Sequence, residues 1–327
     1  VLRALVIFIV SIVFWGCNAQ KLTDMDSGQI YLADPTIFHH VDTYYLYGTT
    51  GDPKWGKNKG FLVYTSKDLI QWSGPKGAKN GLSLAMGDSY GEIGFWAPQV
   101  FEYKGLFYMA YTANEHIAMA TSKSPLGPFV NTSKEALKAP VKQIDPFVFF
   151  DDDGRKYLYH VRLTQGNRIY VAELQDDLMA IKPETLRECI TGELEWENTQ
   201  KTDWPVTEGP TVLKHKGLYY LIYSANDFRN PDYAVGYAIS ESPLGPWKKF
   251  DKSPIMYKEL LGENGPGHGD VFLDHQGDMQ YVLHTHLNDS LTQPRRTAIV
   301  KIKFVEEKGS PDYLVMEKDG FRFLKTK

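Results

Sequence analysis

Cysteine and long apolar segments are both scarce in this sequence, and each scarcity limits the kinds of protein it can be. Only Cys17 and Cys189 occur among its 327 residues. A small domain held together by several disulfides is therefore excluded. An uncharged apolar run covers residues 4–15. This run is shorter than the ~20 residues of a membrane-spanning helix and has the length of a signal-peptide core.

Clusters of basic residues are also missing. The net charge is −4, and the pairs Lys248–Lys249 and Arg295–Arg296 are too short to form a basic patch. Because nucleic-acid binding depends on clustered Lys and Arg that neutralise phosphates, we expect no nucleic-acid partner. Helical periodicity is rare as well, and residues 132–139 predict one short helical turn.

The N-terminal segment predicts export. Arg3 precedes the apolar run, and Gly16 and Cys17 follow it in a pattern that resembles a bacterial lipoprotein cleavage site. We expect residues 1–19 to be a signal segment and residues 20–327 to form one domain. Lipidation of Cys17 would place the protein in the bacterial envelope, as a periplasmic or outer-membrane lipoprotein. An ordinary signal peptide cut near Ala19 is the alternative.

An aromatic strand pattern recurs five times along the chain. The matching tyrosines are Tyr45, Tyr108, Tyr157, Tyr220 and Tyr281, at successive distances of 63, 49, 63 and 61 residues. A second predicted strand precedes each copy, and the five read ADPTIFHH, WAPQVFEY, IDPFVFFD, EGPTVLKH and GHGDVFLD. A short polar turn joins the two strands, so each pair is typical of a β-hairpin.

Hairpins repeated about every 60 residues indicate the blades of a propeller. Five copies predict an all-β fold, a five-bladed β-propeller with four-stranded antiparallel blades around a central channel. The alternative is a β-sandwich with coincidental internal similarity. Five copies in phase favour the propeller, which replaces the two domains that chain length alone suggests.

The predicted channel brings one residue from each blade to a common pocket. The innermost strand of each blade lines the channel, and all five run in the same direction. The residues that open these strands are Asp34, Trp96, Asp145, Glu208 and His268. We expect them to occupy equivalent positions, so that three acids, a tryptophan and a histidine meet at one end of the channel. Taken singly, each has an ordinary structural explanation as a turn, cap or core residue.

Three neighbouring carboxyl groups fit the chemistry of glycoside hydrolysis. Like charges raise one another's pKa, so that one carboxyl group can stay protonated near neutral pH. Inverting hydrolysis uses such an acid together with a carboxylate that activates water, ~6.5–9.5 Å away. Asp34 and Glu208 lie on non-adjacent blades, which favours this separation. Asp145 lies on the blade next to Glu208 and is placed to raise its pKa and orient it.

The ordered motifs ADPTI, WAPQV, IDPFVFFDDDGRKYLY, TEGPTVLKHKGLYYLIYS and GPGHGDVF resemble glycoside hydrolase family 43. The resemblance implies a five-bladed propeller and inverting hydrolysis of polysaccharides that contain arabinose and xylose. It implies Asp34 as general base, Glu208 as general acid and Asp145 as pKa modulator. It also implies that His268 lies in the channel and helps to hold a structural calcium ion, while the chemistry itself requires no cofactor.

Further residues are candidates for substrate contact. Trp96 and Phe95 can stack on a sugar face, and Asn114 and Asn226 end strands whose ends are placed to reach the pocket. The resemblance implies an arginine near the bound sugar, at Arg295 or Arg296, and the sequence does not choose between them.

We expect an enzyme that removes terminal sugars from plant oligosaccharides or polysaccharides, foremost an α-L-arabinofuranosidase. A β-xylosidase or a bifunctional enzyme is the nearest alternative. A non-catalytic, glycan-binding surface propeller is the alternative of another class. Three mutually repelling carboxylates argue against it, because binding alone does not need them.

Overall fold

A computed structural model describes residues 25–26, 28–56 and 59–327 of the protein. Five antiparallel sheets form the blades of a five-bladed propeller, which confirms the predicted fold. The predicted signal segment and Cys17 lie outside the described residues. In the part of the chain that is described, no helix has the length and apolar character needed to cross a membrane.

The first two blades occupy the N-terminal third of the propeller. Blade 1 contains β1 (Leu32–His40), β2 (Thr43–Thr50), β4 (Tyr64–Ser66) and β5 (Gln71–Ser73), while β3 (Gly60–Leu62) and β6 (Leu82–Ala85) pair in a separate sheet. Blade 2 contains β7 (Trp96–Tyr103), β8 (Leu106–Ala113) and β9 (His116–Ser122). A single bridge between Thr121 and Val130 stands where the other blades have a fourth strand.

The remaining three blades each contain four strands. Blade 3 consists of β10 (Gln143–Phe150), β11 (Lys156–Leu163), β12 (Asn167–Glu173) and β13 (Arg187–Ile190). Blade 4 consists of β14 (Thr207–His215), β15 (Leu218–Ala225), β16 (Ala234–Ser240) and β17 (Lys248–Lys249). Blade 5 consists of β18 (Gly267–Leu273), β19 (Met279–Thr285), β20 (Arg296–Val305) and β21 (Tyr313–Phe323).

Helical structure is confined to short connections in the described chain. One α-helix, α1 (Lys258–Leu261), and three 3-10 turns (Pro53–Trp55, Pro183–Thr185 and Glu195–Glu197) link the strands. The helical turn predicted for residues 132–139 is wrong. The Asn131 side chain accepts a hydrogen bond from the Lys134 amide at 2.8 Å, which stabilises a turn in place of a helix.

Residues near the two ends of the described chain close the ring between blades 5 and 1. Strand β22 (Lys325–Thr326) pairs in parallel with β5 of blade 1. The buried Gln29 amide donates hydrogen bonds to the carbonyls of Ile30, Thr297 and Leu324. These contacts cover backbone groups at the junction that would otherwise be left without partners.

Buried tyrosines tie neighbouring blades together. Tyr47 of blade 1 donates from its hydroxyl to the Pro125 carbonyl of blade 2, and Tyr159 of blade 3 donates to the Pro243 carbonyl of blade 4, each at 2.5 Å. Both carbonyls belong to the near-duplicate segments SPLGPF and SPLGPW. The duplication therefore reflects one interblade contact made twice, in which a buried phenol keeps its hydrogen-bond partner.

Candidate active site

A β-bulge interrupts the first strand of every blade at the same place. In blade 1 the pairing shifts between Ala33 and Thr36, and the other four blades shift at the corresponding points. The bulged residues have a left-handed φ and are Asp34 (47°), Ala97 (44°), Asp145 (55°), Gly209 (59°) and His268 (40°). Since a bulge re-aims side chains, this repeated feature positions the site at one end of the channel.

The bulges correct the predicted equivalence of two site residues. Trp96 and Glu208 stand one position before the bulge, where blade 1 has Ala33. The number of residues between the bulge and the repeat tyrosine varies from blade to blade. In four blades a proline directly follows the bulged residue, and this proline marks equivalent positions better than the tyrosine does. Glu208 therefore enters the pocket from a different backbone position than Asp34 and Asp145.

Gly209 is required by the conformation that follows Glu208. Its φ is +59°, and a Cβ atom there would lie 2.8 Å from two ring carbons of His268. Such a contact is far inside van der Waals distance, and the ring belongs to a buried side chain. Glycine therefore allows the first strand of blade 4 to approach the first strand of blade 5.

Side chains on the preceding blade hold the strained bulges. The accepting atoms lie on the second strand of that blade, and the bonds are Ala97 N to Thr49 Oγ1 (2.9 Å), Asp145 N to Thr112 Oγ1 (3.0 Å), His268 N to Ser224 Oγ (2.8 Å) and Asp34 N to His284 Nδ1 (3.1 Å). The corresponding residue of blade 3 is Val161, whose side chain has no hydrogen-bond acceptor. The Gly209 amide therefore donates to Oδ2 of Asp145 at 3.3 Å, linking Asp145 to the backbone beside Glu208.

Asp34, Asp145 and Glu208 meet in a cavity of about 530 Å³. All three acids are buried. The cavity walls come from every blade, and they include Thr49, Phe95, Trp96, Asn167, Trp204, Phe228, His268 and Arg295. The predicted convergence of the three acids with Trp96 and His268 is therefore present.

Asp34 is held in its ionised form. Burial alone would raise its pKa, but Arg295 donates from Nη1 to Oδ1 at 2.9 Å and Thr49 donates to Oδ2 at 2.6 Å. Together with the nearby rings of His268 and His284, these groups bring the pKa of Asp34 well below its usual range. Asp34 is consequently a carboxylate at every pH at which the protein is expected to act.

Glu208 has the opposite protonation preference. Burial and the negative charge of Asp34 raise its pKa to about 7. Tyr233 donates to Oε1 at 2.8 Å and Asn167 donates to Oε2 at 3.0 Å, which limits the rise. Glu208 can therefore hold a proton near neutral pH and release it during a reaction.

Asp145 interacts electrostatically with both of these acids. Burial raises its pKa well above the usual range, and the charges of Glu208 and Asp34 raise it further. Three clustered carboxyl groups thus share fewer than three negative charges near neutral pH. The cavity provides one permanent carboxylate and one carboxyl group that can donate a proton, the pair that inverting glycoside hydrolysis uses.

His268 contacts the carboxyl groups of the cavity. Its Nδ1 lies 3.4 Å from Oδ1 of Asp34 and 3.9 Å from Oδ2 of Asp145. Burial lowers the pKa of His268, so that the ring is neutral near pH 7. The described residues include no group of three or more His, Cys, Asp or Glu side chains arranged to hold a metal.

The channel below the cavity offers calcium a poor set of oxygen ligands. Besides Asp34 and Asp145, the channel is lined by the half-buried carboxylate of Asp270, which already accepts hydrogen bonds from Thr36 at 2.6 Å and from the Val271 amide at 2.7 Å. Calcium takes six to eight oxygen ligands. The residues present do not fit the calcium ion that the resemblance implies, and no step of the chemistry is routed through one.

The two candidate arginines separate clearly. Arg295 lines the cavity, bonds to Asp34 and lies over the Phe228 ring at 4.5 Å. Arg296 points away, pairs with Glu263 and donates to the His286 carbonyl. Of the predicted arginines, only Arg295 is in position to meet a substrate.

Of the four other residues predicted to contact substrate, two line the cavity and two do not. Phe95 and the partly exposed Trp96 line the cavity. Asn114 and Asn226 do not belong to its lining, which corrects that part of the prediction. Asn114 accepts hydrogen bonds from the amides of residues 92 and 93, and Asn226 fastens residues 196–199 by bonds to the Trp196 carbonyl and the Thr199 amide. Both act as local braces at strand ends.

Several residues of the site escaped the sequence analysis. Thr49 and His284 bond to Asp34, Tyr233 and Asn167 bond to Glu208, and Trp204 bonds to Asn167. Alignment of the second strands would have singled out His284, because the matching residues of the other blades are small or β-branched. Asn167, Trp204 and Tyr233 lie in connections or at their edges, where the repeat carries no signal.

A five-bladed propeller whose cavity holds one ionised carboxylate and one carboxyl group with a pKa of about 7 fits the chemistry of a glycoside hydrolase. The sequence profile of glycosyl hydrolases family 43 matches residues 28–310, and the chain belongs to this family. The protein is accordingly an inverting glycoside hydrolase, as the motifs predicted.

Known structures and sequences support this membership. A structure described as endo-1,4-β-xylanase from Bacteroides thetaiotaomicron is 40% identical, with a TM-score of 0.81, and the match covers 91% of this chain and 97% of that one. A thermostable family-43 glycoside hydrolase is 35% identical, with a TM-score of 0.77 and coverage of 89% and 94%. The β-D-galactofuranosidase of Aspergillus niger is 26% identical, over 84% of this chain and 80% of its own length. Three further curated relatives are longer, and the matches span 46–50% of their length.

Proposed function

We propose that this protein removes terminal sugars from plant oligosaccharides or polysaccharides by inverting hydrolysis, and that its preferred substrate is an α-L-arabinofuranoside. The observation that carries the exo mode is the enclosure of the three acids by wall residues from all five blades. Such a cavity admits a chain end or a side-chain sugar more readily than the middle of a polymer.

The catalytic roles follow from the protonation of the two opposed acids. Asp34, kept ionised by Arg295, serves as the base that takes a proton from water. Glu208, with a pKa raised to about 7, serves as the acid that protonates the departing sugar oxygen. Asp145 is the positioning residue: it accepts a hydrogen bond from the Gly209 amide next to Glu208, and its carboxyl group interacts electrostatically with that of Glu208. Phe95 and Trp96 are assigned to the sugar face and Arg295 to its polar edge.

The names of two relatives favour a furanoside over a pyranoside. One is the galactofuranosidase of Aspergillus niger, and a second, 24% identical over 88% of this chain, is described as an extracellular exo-α-(1→5)-L-arabinofuranosidase from Streptomyces avermitilis. A β-xylosidase is the second candidate, because the 40% identical structure is described as a xylanase.

A substrate panel tests the proposal. The protein is assayed on 4-nitrophenyl α-L-arabinofuranoside, β-D-xylopyranoside and β-D-galactofuranoside, and on arabino- and xylo-oligosaccharides, with products separated by chromatography. Release of arabinose alone from chain ends supports the proposal, and faster release of xylose supports the second candidate. Internal cleavage of a polysaccharide into mixed oligosaccharides would refute the exo mode. Asp34→Asn, assayed in parallel, controls for contaminating glycosidases.

Export and lipidation of Cys17 remain predictions that concern residues outside the described part of the chain. Expression in a bacterial host followed by mass measurement of the mature protein tests them. A diacylglycerol adduct on Cys17 supports an envelope lipoprotein, whereas an unmodified N-terminus near residue 20 supports an ordinary signal peptide.

A further inference from the structure

A hydrogen-bonded chain of three side chains runs from the rim of the cavity to Glu208. The Trp204 indole donates from Nε1 to Oδ1 of Asn167 at 2.9 Å. Asn167 in turn donates from Nδ2 to Oε2 of Glu208 at 3.0 Å. Trp204 and Asn167 both line the cavity, and nearly half of the Trp204 surface is exposed there.

The indole fixes the direction in which the amide points. An indole N–H can only donate a hydrogen bond, so its partner on Asn167 must be the carbonyl oxygen. The amide nitrogen is thereby turned toward Glu208. The backbone of Asn167 is held too, since its amide donates to the Pro205 carbonyl at 2.9 Å and its carbonyl accepts from Thr207 Oγ1 at 3.0 Å.

The segment that carries Trp204 is anchored by buried hydrogen bonds. The fully buried Glu197 accepts hydrogen bonds from Tyr223 at 2.6 Å and from Lys249 at 2.7 Å. Asn226, which does not reach the cavity, braces the same segment through Trp196 and Thr199. Trp204 is therefore presented by a braced connection between blades 3 and 4.

Of the two groups that donate hydrogen bonds to Glu208, one can also accept a hydrogen bond and the other cannot. The Tyr233 hydroxyl can rotate and either donate to Glu208 or accept from it, so it serves both protonation states. The Asn167 amide nitrogen can only donate, and it therefore favours the carboxylate. Among the charged groups around Glu208, Asp34 on β1 and Asp227 after β15 raise its pKa, and Asp145 on β10 lies in the same cavity. Arg229, Arg295 and His268 also line this cavity. Asn167 thus opposes the two acids that favour the protonated form of Glu208.

We propose that Trp204 and Asn167 form a positioning pair for the general acid, in which the indole orients the amide and the amide stabilises the Glu208 carboxylate that forms when the proton leaves. This inference rests on the proposed role of Glu208. It assigns to Asn167 and Trp204 a function in setting the pKa of the general acid, and with it the basic limb of the kcat/KM profile, beyond lining the cavity.

The test compares Asn167→Ala, Trp204→Phe and the wild type. Loss of the amide donor should raise the pKa of Glu208, so that the basic limb of the kcat/KM profile moves up by about one pH unit in Asn167→Ala. Trp204→Phe keeps an aromatic ring but frees the amide to turn, and it should move the limb in the same direction by less. Asn198→Ala is the matched control, because Asn198 caps the same connection through Thr202 without lining the cavity.

A second measurement needs no substrate. The carboxyl carbons of glutamate are labelled with ¹³C, and the resonance that disappears in Glu208→Gln is titrated in each variant. An upward shift in Asn167→Ala and Trp204→Phe, with Asn198→Ala at the wild-type value, supports the proposal. An unchanged titration in both variants, or an equal shift in Asn198→Ala, overturns it. If the wild type hydrolyses none of the panel, the proposed function fails while this titration still decides the inference.

Discussion

Arg295 donates from Nη1 to Oδ1 of Asp34 across 2.9 Å, and the two buried side chains stand 261 residues apart in the chain. The guanidinium offsets the cost of burying the carboxylate, which is how Asp34 stays ionised beside two other acids. The pair joins blade 1 to the connection before the third strand of blade 5. This ion pair therefore forms only when blades 5 and 1 meet and close the propeller.

Replacing Arg295 by methionine should leave the base protonated, and therefore inactive, at higher pH than in the wild type. Without the cation, burial is no longer opposed, and the pKa of Asp34 rises toward and beyond its ordinary value. Because the base acts only when ionised, an acidic limb of the kcat/KM profile that lies below about pH 4 in the wild type should move up into the measured range in Arg295→Met. The measurement is a pH–rate profile from pH 4 to 9 on an aryl glycoside.

Arg296→Met is the matched control for this experiment. Arg296 carries the same charge in the adjacent position but pairs with Glu263 outside the cavity. Its profile should keep the wild-type acidic limb. Equal displacement of the limb in both variants would mean that total charge, rather than the contact with Asp34, sets the pKa of the base.

Replacing Glu208 by alanine should remove the acid while sparing substrates that do not need one. We expect kcat on unactivated oligosaccharides to fall by about 10²–10⁴-fold, and kcat on dinitrophenyl glycosides to fall much less. Steady-state kinetics on the two substrate types gives the comparison. In Asp34→Asn the loss should be similar on both, since water must be activated whatever the leaving group. Equal losses in Glu208→Ala would contradict the assignment of the acid.

Replacing Gly209 by alanine should cost both stability and activity. The left-handed φ of +59° costs an L-residue on the order of 1–2 kcal/mol, and the new methyl would collide with the His268 ring. Displacement of this strand would shift Glu208, so we expect kcat/KM to fall at least about tenfold. Thermal unfolding and kinetics measure the two effects.

Gly217→Ala is the control that separates the effect of backbone strain from the effect of a collision with the His268 ring. Gly217 has a φ of +81° in the turn between β14 and β15, and a Cβ atom there would meet no heavy atom within 4 Å. This variant should lose a comparable part of its stability to backbone strain and keep its activity. If Gly217→Ala is as inactive as Gly209→Ala, the close approach to His268 is not the cause.

Glu208→Gln should stabilise the protein in a pH-dependent way. The folded protein raises the pKa of Glu208 from an ordinary 4.5 to about 7. It therefore binds a proton between these values that the unfolded chain releases, and stability falls as pH rises through this window. Glutamine carries no charge to bury, so its advantage over glutamate should grow from near zero at pH 4 to roughly 3 kcal/mol at pH 8.

Urea unfolding at several pH values measures this difference. Substitution of the exposed Glu184 by glutamine removes one charge without removing a buried one, and its effect should stay small throughout. A difference between Glu208→Gln and wild type that does not vary with pH would show that the buried charge is not the cause.

The repeat made much of this architecture predictable. Five hairpins in phase gave the number of blades, the direction of the inner strands and the meeting of Asp34, Asp145 and Glu208. The repeat failed where the backbone departs from a regular strand. A bulge before each proline places Trp96 and Glu208 one position earlier than Asp34 and Asp145, and a period counted from tyrosines does not register a shift of one residue.

Side-chain direction was the second limit. Arg295 and Arg296 are adjacent in sequence, yet one faces Asp34 and the other Glu263. Asn226 ends a strand near the cavity, but its amide is consumed by backbone groups of residues 196–199. Such choices depend on neighbours that are brought together only by folding, and the connections between blades carry no repeat from which to read them.

The sequence by itself therefore determined the fold, the family and the three acids, because the spacing of hydrophobic strands and Asp-Pro or Glu-Gly-Pro openings is local information. The tertiary structure alone decided which acid is ionised. That division of roles arises from Arg295 beside Asp34 and from Tyr233 and Asn167 around Glu208, in a buried cavity where each contact weighs on the pKa more than it would in water.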